Sequence, residues 1–264
     1  MNVLENILNA KRDEVSRQKR ESPLPGLFAR PLYNRESLSL VQAIRSSTPA
    51  IIAELKKASP SKGTIREDFD VASLARGYEQ GGACAISVLT DKPFFAGSLH
   101  YLELARDTVG VPLLRKDFII DPYQLHEAKA YGADAVLLIV AALEQNRLID
   151  LMNASTTIGL ETLVEVHSEQ EAERALKANA TLVGINNRDL GTFTVDFATT
   201  MRILPLLPKS VTTVSESGFS SAVDIRNVMD AGVHGFLLGE SLMREADPGR
   251  ALSSIITAVR GFTR

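Results

Sequence analysis

Eight short apolar runs, each followed by a segment of helical period, predict an α/β protein: a (β/α)8 TIM barrel with an additional N-terminal helical extension. Three observations carry this reading. The runs are apolar throughout and rich in β-branched residues, as parallel strands buried on both faces require. There are eight of them, the number that closes a barrel. No G-x-G-x-x-G or G-x-x-x-x-G-K-[ST] turn occurs, although the alternative, an open doubly wound sheet, usually carries one. Both folds use right-handed local crossovers, so periodicity alone leaves the sheet open.

The 264 residues suit one barrel of about 250 residues plus an extension. The expected organisation is a single domain over residues 1–264, with 1–48 as the extension. Hydrophobic residues make up 45% and charged residues 23%, an ordinary globular balance. A net charge of −3 offers no general attraction to nucleic acid or an anionic membrane, so neither is an expected partner. No apolar run approaches the ~20 residues that span a bilayer. Cys84 is the single cysteine, which excludes an intrachain disulfide and fits a reducing, cytoplasmic setting. A monomer or weak homodimer is expected.

The extension opens with Leu4, Ile7, Leu8 and Val15 at helical spacing. Its basic residues Arg17, Lys19 and Arg20 come late, where the helix dipole favours them. Glu5, Asp13 and Glu14 argue against a mitochondrial presequence. Residues 21–40, with Pro23, Pro25 and Pro31, are expected to form an irregular connection. The strand candidates follow: AIIAEL (50–55), ACAISVLT (83–90), VPLLRKD (111–117), DAVLLIV (134–140), LETLVEV (160–166), TLVGINN (181–187), VTTVSESG (211–218) and HGFLLGE (234–240). Between them, Asp121 and Pro122 mark a helix start, and Ser168 with Glu171 reads as a capping box. The junctions GGACAI, YGADAV and AGVHGF repeat one passage from helix through glycine to strand, the sign of a recurring unit.

In such a barrel the residues at the C-terminal ends of the strands share one mouth, and the active site lies there. Read in order, those ends carry Glu54 and Lys56, Lys116, Glu165, Asn186 and Arg188, Glu216 and Ser217, and Gly239. Charges on buried strands are commonly just solvated ends, but alternating acids and bases at successive tips exceed that explanation. Gly218 and Gly239 follow the last two runs and precede helical segments. Free backbone N–H groups there can bind an anion, and the loops after strands 7 and 8 commonly hold phosphate.

In these motifs the chain resembles the indole-3-glycerol-phosphate synthase family of tryptophan biosynthesis. The resemblance spans essentially the whole chain and rests on IIAELKKASPSKG (51–63), ISVLTDKPFFAGS (86–98), LLRKDFIID (113–121), DAVLLIVAAL (134–143), LVEVH (163–167), GINNRDL (184–190), VSESG (214–218) and FLLGESLM (236–243). It implies a carbon–carbon lyase (carboxy-lyase) acting on 1-(2-carboxyphenylamino)-1-deoxyribulose 5-phosphate, with no cofactor and no metal. It also implies the monofunctional form, without a fused phosphoribosylanthranilate isomerase. By resemblance Lys116 is the general acid of ring closure, and Glu54, Lys56 and Glu165 are the remaining acid–base residues. Asn186 joins this catalytic set. Glu216 and Ser217 match substrate-contacting positions, with Arg188 beside them. Ser59, Gly218, Gly239 and Glu240 match phosphate contacts, although some relatives carry serine at the position of Glu240.

A lysine partly desolvated at a barrel mouth can have its pKa drawn toward neutrality, and nearby carboxylates oppose that shift. Phe94, Phe95 and Phe118 are candidates for an apolar wall against the substrate's ring, with packing as the alternative. His100, His126, His167 and His234 lack metal-ligand spacing and are read as non-ligands. The polar segment 56–68, broken by Pro60 and Gly63, is long for a strand-to-helix loop and suits a closing lid. Two rivals remain on the residues alone: another sugar-phosphate enzyme, such as a Schiff-base aldolase using Lys116, and a non-catalytic phosphate-binding barrel.

Overall fold

A computed structural model describes residues 3–189 and 194–261. Eight parallel strands close into a barrel: β1 (Ala50–Leu55), β2 (Ala85–Leu89), β3 (Leu113–Lys116), β4 (Ala135–Ile139), β5 (Glu161–Val166), β6 (Leu182–Asn186), β7 (Thr212–Glu216) and β8 (Gly235–Leu238). Each pairs with its sequence neighbours, and β1 closes the ring by pairing Ala50 to Gly235 and Ile52 to Ala85. All eight fall within the predicted runs, and helices follow them as the alternating pattern requires.

The two-residue period of a strand explains where the site lies. Counting inward-facing positions toward the C-terminal end, Ile52 precedes Glu54, Leu114 precedes Lys116, Leu163 precedes Glu165 and Val214 precedes Glu216. The first member of each pair belongs to the apolar cluster that fills the barrel. The second forms a charged layer above it. The alternate positions, such as Ile51, Val88, Leu113, Val164 and Ile185, face the surrounding helices in a larger core. Burying each such side chain contributes roughly 1.5–3 kcal/mol, so the scaffold tolerates the cost of a buried charged layer.

The extension does more than precede the barrel. The helix Val3–Glu21 lays Ile7, Leu8, Lys11 and Val15 against it. The connection expected to be irregular contains a short helix, Leu24–Phe28, and a 3-10 turn, Pro31–Asn34. Pro25 and Pro31 sit in their first turns, where proline's missing N–H costs nothing, so the prolines start helical turns here. The helix Leu40–Arg45 then packs Leu40 and Ile44 onto the inner apolar cluster beside Gly235 and closes the N-terminal end of the barrel. Asp134, just before β4, ties the connection down: it accepts from Arg35, the Leu38 N–H, Arg106 and the Leu113 N–H.

Candidate active site

The charged layer opens into a cavity of about 540 Å³ at the C-terminal mouth. Every proposed site residue, namely Glu54, Lys56, Ser59, Lys116, Phe118, Glu165, Asn186, Arg188, Glu216, Ser217, Gly218, Gly239 and Glu240, lines it. Residues spread over 187 positions of sequence, from 54 to 240, thus meet in one space. Leu190, the end of the GINNRDL motif, lies outside the described residues.

Lys116 is the hub. Its Nζ donates to Glu165 Oε2 at 3.0 Å and to Glu216 Oε2 at 3.1 Å. Burial alone would lower its pKa, but Glu165, Glu216 and Glu54 outweigh burial and raise it well above the ordinary lysine value. Of the two opposing effects on this lysine, the carboxylates prevail over desolvation and hold it as an ammonium. At the end of β1, Lys56 Nζ reaches Glu54 Oε1 at 2.5 Å. Burial pushes the Glu54 carboxyl up, yet Lys56 and Lys116 pull it below its ordinary value.

The two carboxylates on Lys116 are unequal. Glu165 is pushed up by burial but brought far below the ordinary glutamate value by Lys116 and His167. Glu216 is raised to about 7: burial dominates, and Glu165 adds like-charge repulsion that Lys116 does not cancel. The geometry accounts for the difference. Glu165 has a cation on each oxygen, whereas Glu216 Oε1 is buried without a hydrogen-bond partner among the described residues.

Two glycines make room for these carboxylates. A Cβ on Gly184 of β6 would overlap Glu216 Oε1, and one on Gly239 would lie 2.5 Å from Glu54 Oε1. The sequence suggests Gly239 as a phosphate contact; its first structural effect is to clear space for Glu54. Gly218 has φ +93°, and a Cβ there would overlap Val195. Ser217, just before it, also adopts a left-handed conformation at φ 68°, a strain that nothing in the sequence announces.

The rim is polar on the β7–β8 side. Ser59 Oγ is buried and without a hydrogen-bond partner among the described residues, which suits an oxygen of the substrate. Glu240 stands between Arg244, at 3.0 Å, and Arg188, at 3.8 Å. The loop 56–68 is ordered as a small hairpin, with Ala58–Ser59 pairing Gly63–Thr64, and its turn residues Pro60, Ser61 and Lys62 line the cavity. The apolar wall comes from Phe95 and Phe118, whose ring centres are 6.3 Å apart; Phe94 is absent from the lining.

Sequence reasoning misses two groups. One is His167, read only as a non-ligand: its Nε2 lies 3.3 Å from Glu165 Oε1. The expected capping box at Ser168 is only half formed, because Glu171 turns instead to the His167 N–H and Nδ1. The glutamate three residues after the cap is the available signal, and its partner is the histidine rather than the cap. The other group is Asn187, whose side chain joins Ser215, Ser217 and Thr200 and braces the ends of β6 and β7 behind Asn186. A second asparagine in GINN gives no hint which one faces the mouth.

The family model for indole-3-glycerol phosphate synthase matches residues 4–255. An indole-3-glycerol phosphate synthase from Chromobacterium violaceum is 45% identical over 260 residues, covering 97% of this chain and 98% of that protein. Among solved structures, a thiamine phosphate pyrophosphorylase from Pyrococcus furiosus superposes with a TM-score of 0.63 at 17% identity, covering 84% of this chain and 98% of that one. KGPDC from Streptococcus mutans gives 0.61 at 14% identity, covering 81% and 99%. At such identities the two structures share the barrel fold and nothing further. The sequence match, over nearly the whole length and through every strand end at the mouth, shows that the chain belongs to the indole-3-glycerol phosphate synthase family.

Proposed function

We propose that this chain closes the pyrrole ring of its phosphorylated substrate, converting 1-(2-carboxyphenylamino)-1-deoxy-D-ribulose 5-phosphate to indole-3-glycerol phosphate with loss of carbon dioxide and water. It is a carboxy-lyase of tryptophan biosynthesis. The observation that carries the residue roles is Lys116, an ammonium held 3.0 Å and 3.1 Å from two buried carboxylates at the floor of the mouth.

As the aromatic carbon attacks the ketone, negative charge gathers on the ketone oxygen. Lys116 is the donor placed to meet it, and the growing basicity of that oxygen draws the proton across. Loss of carbon dioxide restores the aromatic ring. The remaining hydroxyl then leaves with a proton from an acid, while a base removes a proton from the adjacent carbon of the new five-membered ring, the one bonded to nitrogen. Glu165 matches the family's base, and the cation on each of its oxygens keeps it ionised and so able to accept a proton. Lys56, paired with Glu54, suits the second acid. Environments that push neighbouring groups' pKa values apart are how acid and base roles become separated. Phe95 and Phe118 offer the ring an apolar wall. Ser59, with the backbone at Gly218 and Gly239, suits the phosphate; Arg188 and Arg244 beside Glu240 supply positive charge at that rim.

Among the described residues no helix is long and apolar enough to cross a membrane. The test is a steady-state assay of the purified chain following indoleglycerol phosphate fluorescence. Turnover without borohydride-trappable substrate on Lys116 is expected. A covalent adduct at Lys116, or no turnover of this substrate, would replace the reading with the Schiff-base aldolase or the binding protein.

A further inference from the structure

Glu165 has a second set of contacts that ring closure does not use. While Oε2 receives Lys116, Oε1 lies 3.3 Å from His167 Nε2, and the other ring nitrogen, Nδ1, lies 3.3 Å from Glu171 Oε2. The same Glu171 oxygen accepts the His167 backbone N–H at 2.8 Å, so it grips the histidine twice. The result is a carboxylate–imidazole–carboxylate row leading from the mouth to the start of the helix Glu169–Lys177. His167 and Glu171 stand behind Glu165, outside the cavity lining.

We infer that His167, held by Glu171, is a positioning residue for Glu165: its imidazole occupies the Oε1 side of the carboxylate and leaves Oε2 facing Lys116 and the reacting atoms. The inference rests on Glu165 being the base proposed above. The Nε2–Oε1 contact lacks the alignment of a hydrogen bond, so the link acts mainly through charge. Burial would discharge the imidazole, but its contacts to Glu165 and Glu171 raise its pKa to about 10. Glu165 therefore sits in a field of named groups: Lys116 from β3, Glu216 from β7, Glu54 from β1, and His167 with Glu171 behind it. Two of these carboxylates, Glu216 and Glu54, oppose its ionisation. His167 is the cation that offsets them without blocking the mouth.

Two measurements test this. In long-range ¹H–¹⁵N spectra of the substrate-free protein, His167 should remain imidazolium at about pH 8. Its midpoint should fall by about one unit or more in Glu171→Gln and in Glu165→Gln, since an opposite charge at this range is worth ~1–3 units. In pH–rate profiles the acid limb of kcat belongs to the carboxylate pair on Lys116, whose Glu216 member is raised to about 7. His167→Leu and His167→Gln should both move it upward by about one unit, because a carboxylate pair that loses a cation binds its proton more tightly. On that limb this is roughly a tenfold loss, while KM changes little. The glutamine variant should retain more turnover than the leucine variant. A purely structural role would lower kcat equally at all pH and leave the limb in place. A neutral His167 at about pH 8 in the wild type, or an unmoved limb in both variants, overturns the inference. Failure of the wild type to turn over the substrate would instead overturn the functional reading, and the spectra would still decide whether His167 is charged against Glu165.

Discussion

Replacing Lys11 by methionine removes one buried ammonium and little else, which makes its cost calculable. Lys11 lies on the N-terminal helix, yet it is 1% exposed. Its Nζ sits 2.8 Å from Glu14 Oε2 and 2.9 Å from both Asp91 Oδ2 and Asp117 Oδ1. Without it, Asp117 keeps Arg115 at 3.1 Å, the Thr90 hydroxyl and the Phe118 N–H. Asp91 keeps the Phe94 N–H at 2.9 Å on Oδ1, while among the described residues no hydrogen bond reaches its buried Oδ2 in place of Lys11. Leaving one side of a buried ion pair uncompensated typically costs ~3–5 kcal/mol. For a chain of this size each kcal/mol lowers Tm by about 2–4 °C, so Lys11→Met should melt roughly 6–20 °C lower at neutral pH. The pH dependence has a definite sign. Burial pushes the Asp117 carboxyl up, but Lys11 and Arg115 hold it far below its ordinary value. A depressed carboxylate contributes stability above its unfolded pKa and loses it as pH falls through its folded one. The variant gives up that contribution in advance, so its deficit should hold down to about pH 4 and shrink on further acidification below it. Thermal melts followed by circular dichroism at several pH values measure both effects. A Tm within about 2 °C of the wild type at neutral pH, or a deficit that widens in acid, would refute the reasoning.

Further outcomes follow from the mouth. Lys116→Arg keeps the charge but not a proton that can be given up at neutral pH, so it should lose kcat by a factor similar to Lys116→Met, on the order of 10² or more; near-normal turnover of the arginine variant would make Lys116 a clamp. Gly239→Ala places a Cβ 2.5 Å from Glu54 Oε1, so it should depress kcat by displacing Glu54, and an effect confined to KM would return this glycine to the phosphate alone. Gly218→Val, by contrast, meets Val195 and Phe197 beside the rim and should raise KM strongly with little change in circular dichroism; an unaltered KM would remove the phosphate from this rim. Proteolytic nicking between residues 57 and 66 should slow when a substrate analogue is bound, and equal cleavage at saturation would argue against closure of the hairpin over the site.

The sequence by itself determined the scaffold and the rim. Eight runs apolar on both faces require a parallel sheet covered by helices, and their number and the missing glycine-rich turns favour closing it into a barrel. Strand period puts Glu54 on the face of Ile52, Lys116 on that of Leu114, Glu165 on that of Leu163 and Glu216 on that of Val214. That information is local, because alternation and burial are read residue by residue along each strand. Tertiary structure decided what the local code cannot express, namely which distant charges meet. Lys116 faces Glu165 and Glu216 across the barrel, and their combined field reverses the effect that burial alone would have on its pKa. Lys11, on a helix whose pattern reads as an ordinary amphipathic face, is drawn under the rim by Asp91 and Asp117, residues 80 and 106 positions away. Glu171, three residues after a serine cap, accepts the His167 N–H and lies against its ring instead of the cap's own N–H, and it is the end of β5 that places that ring beside Glu165. Electrostatic energy depends on separation in space and on the surrounding dielectric, and neither is fixed until the chain has closed on itself.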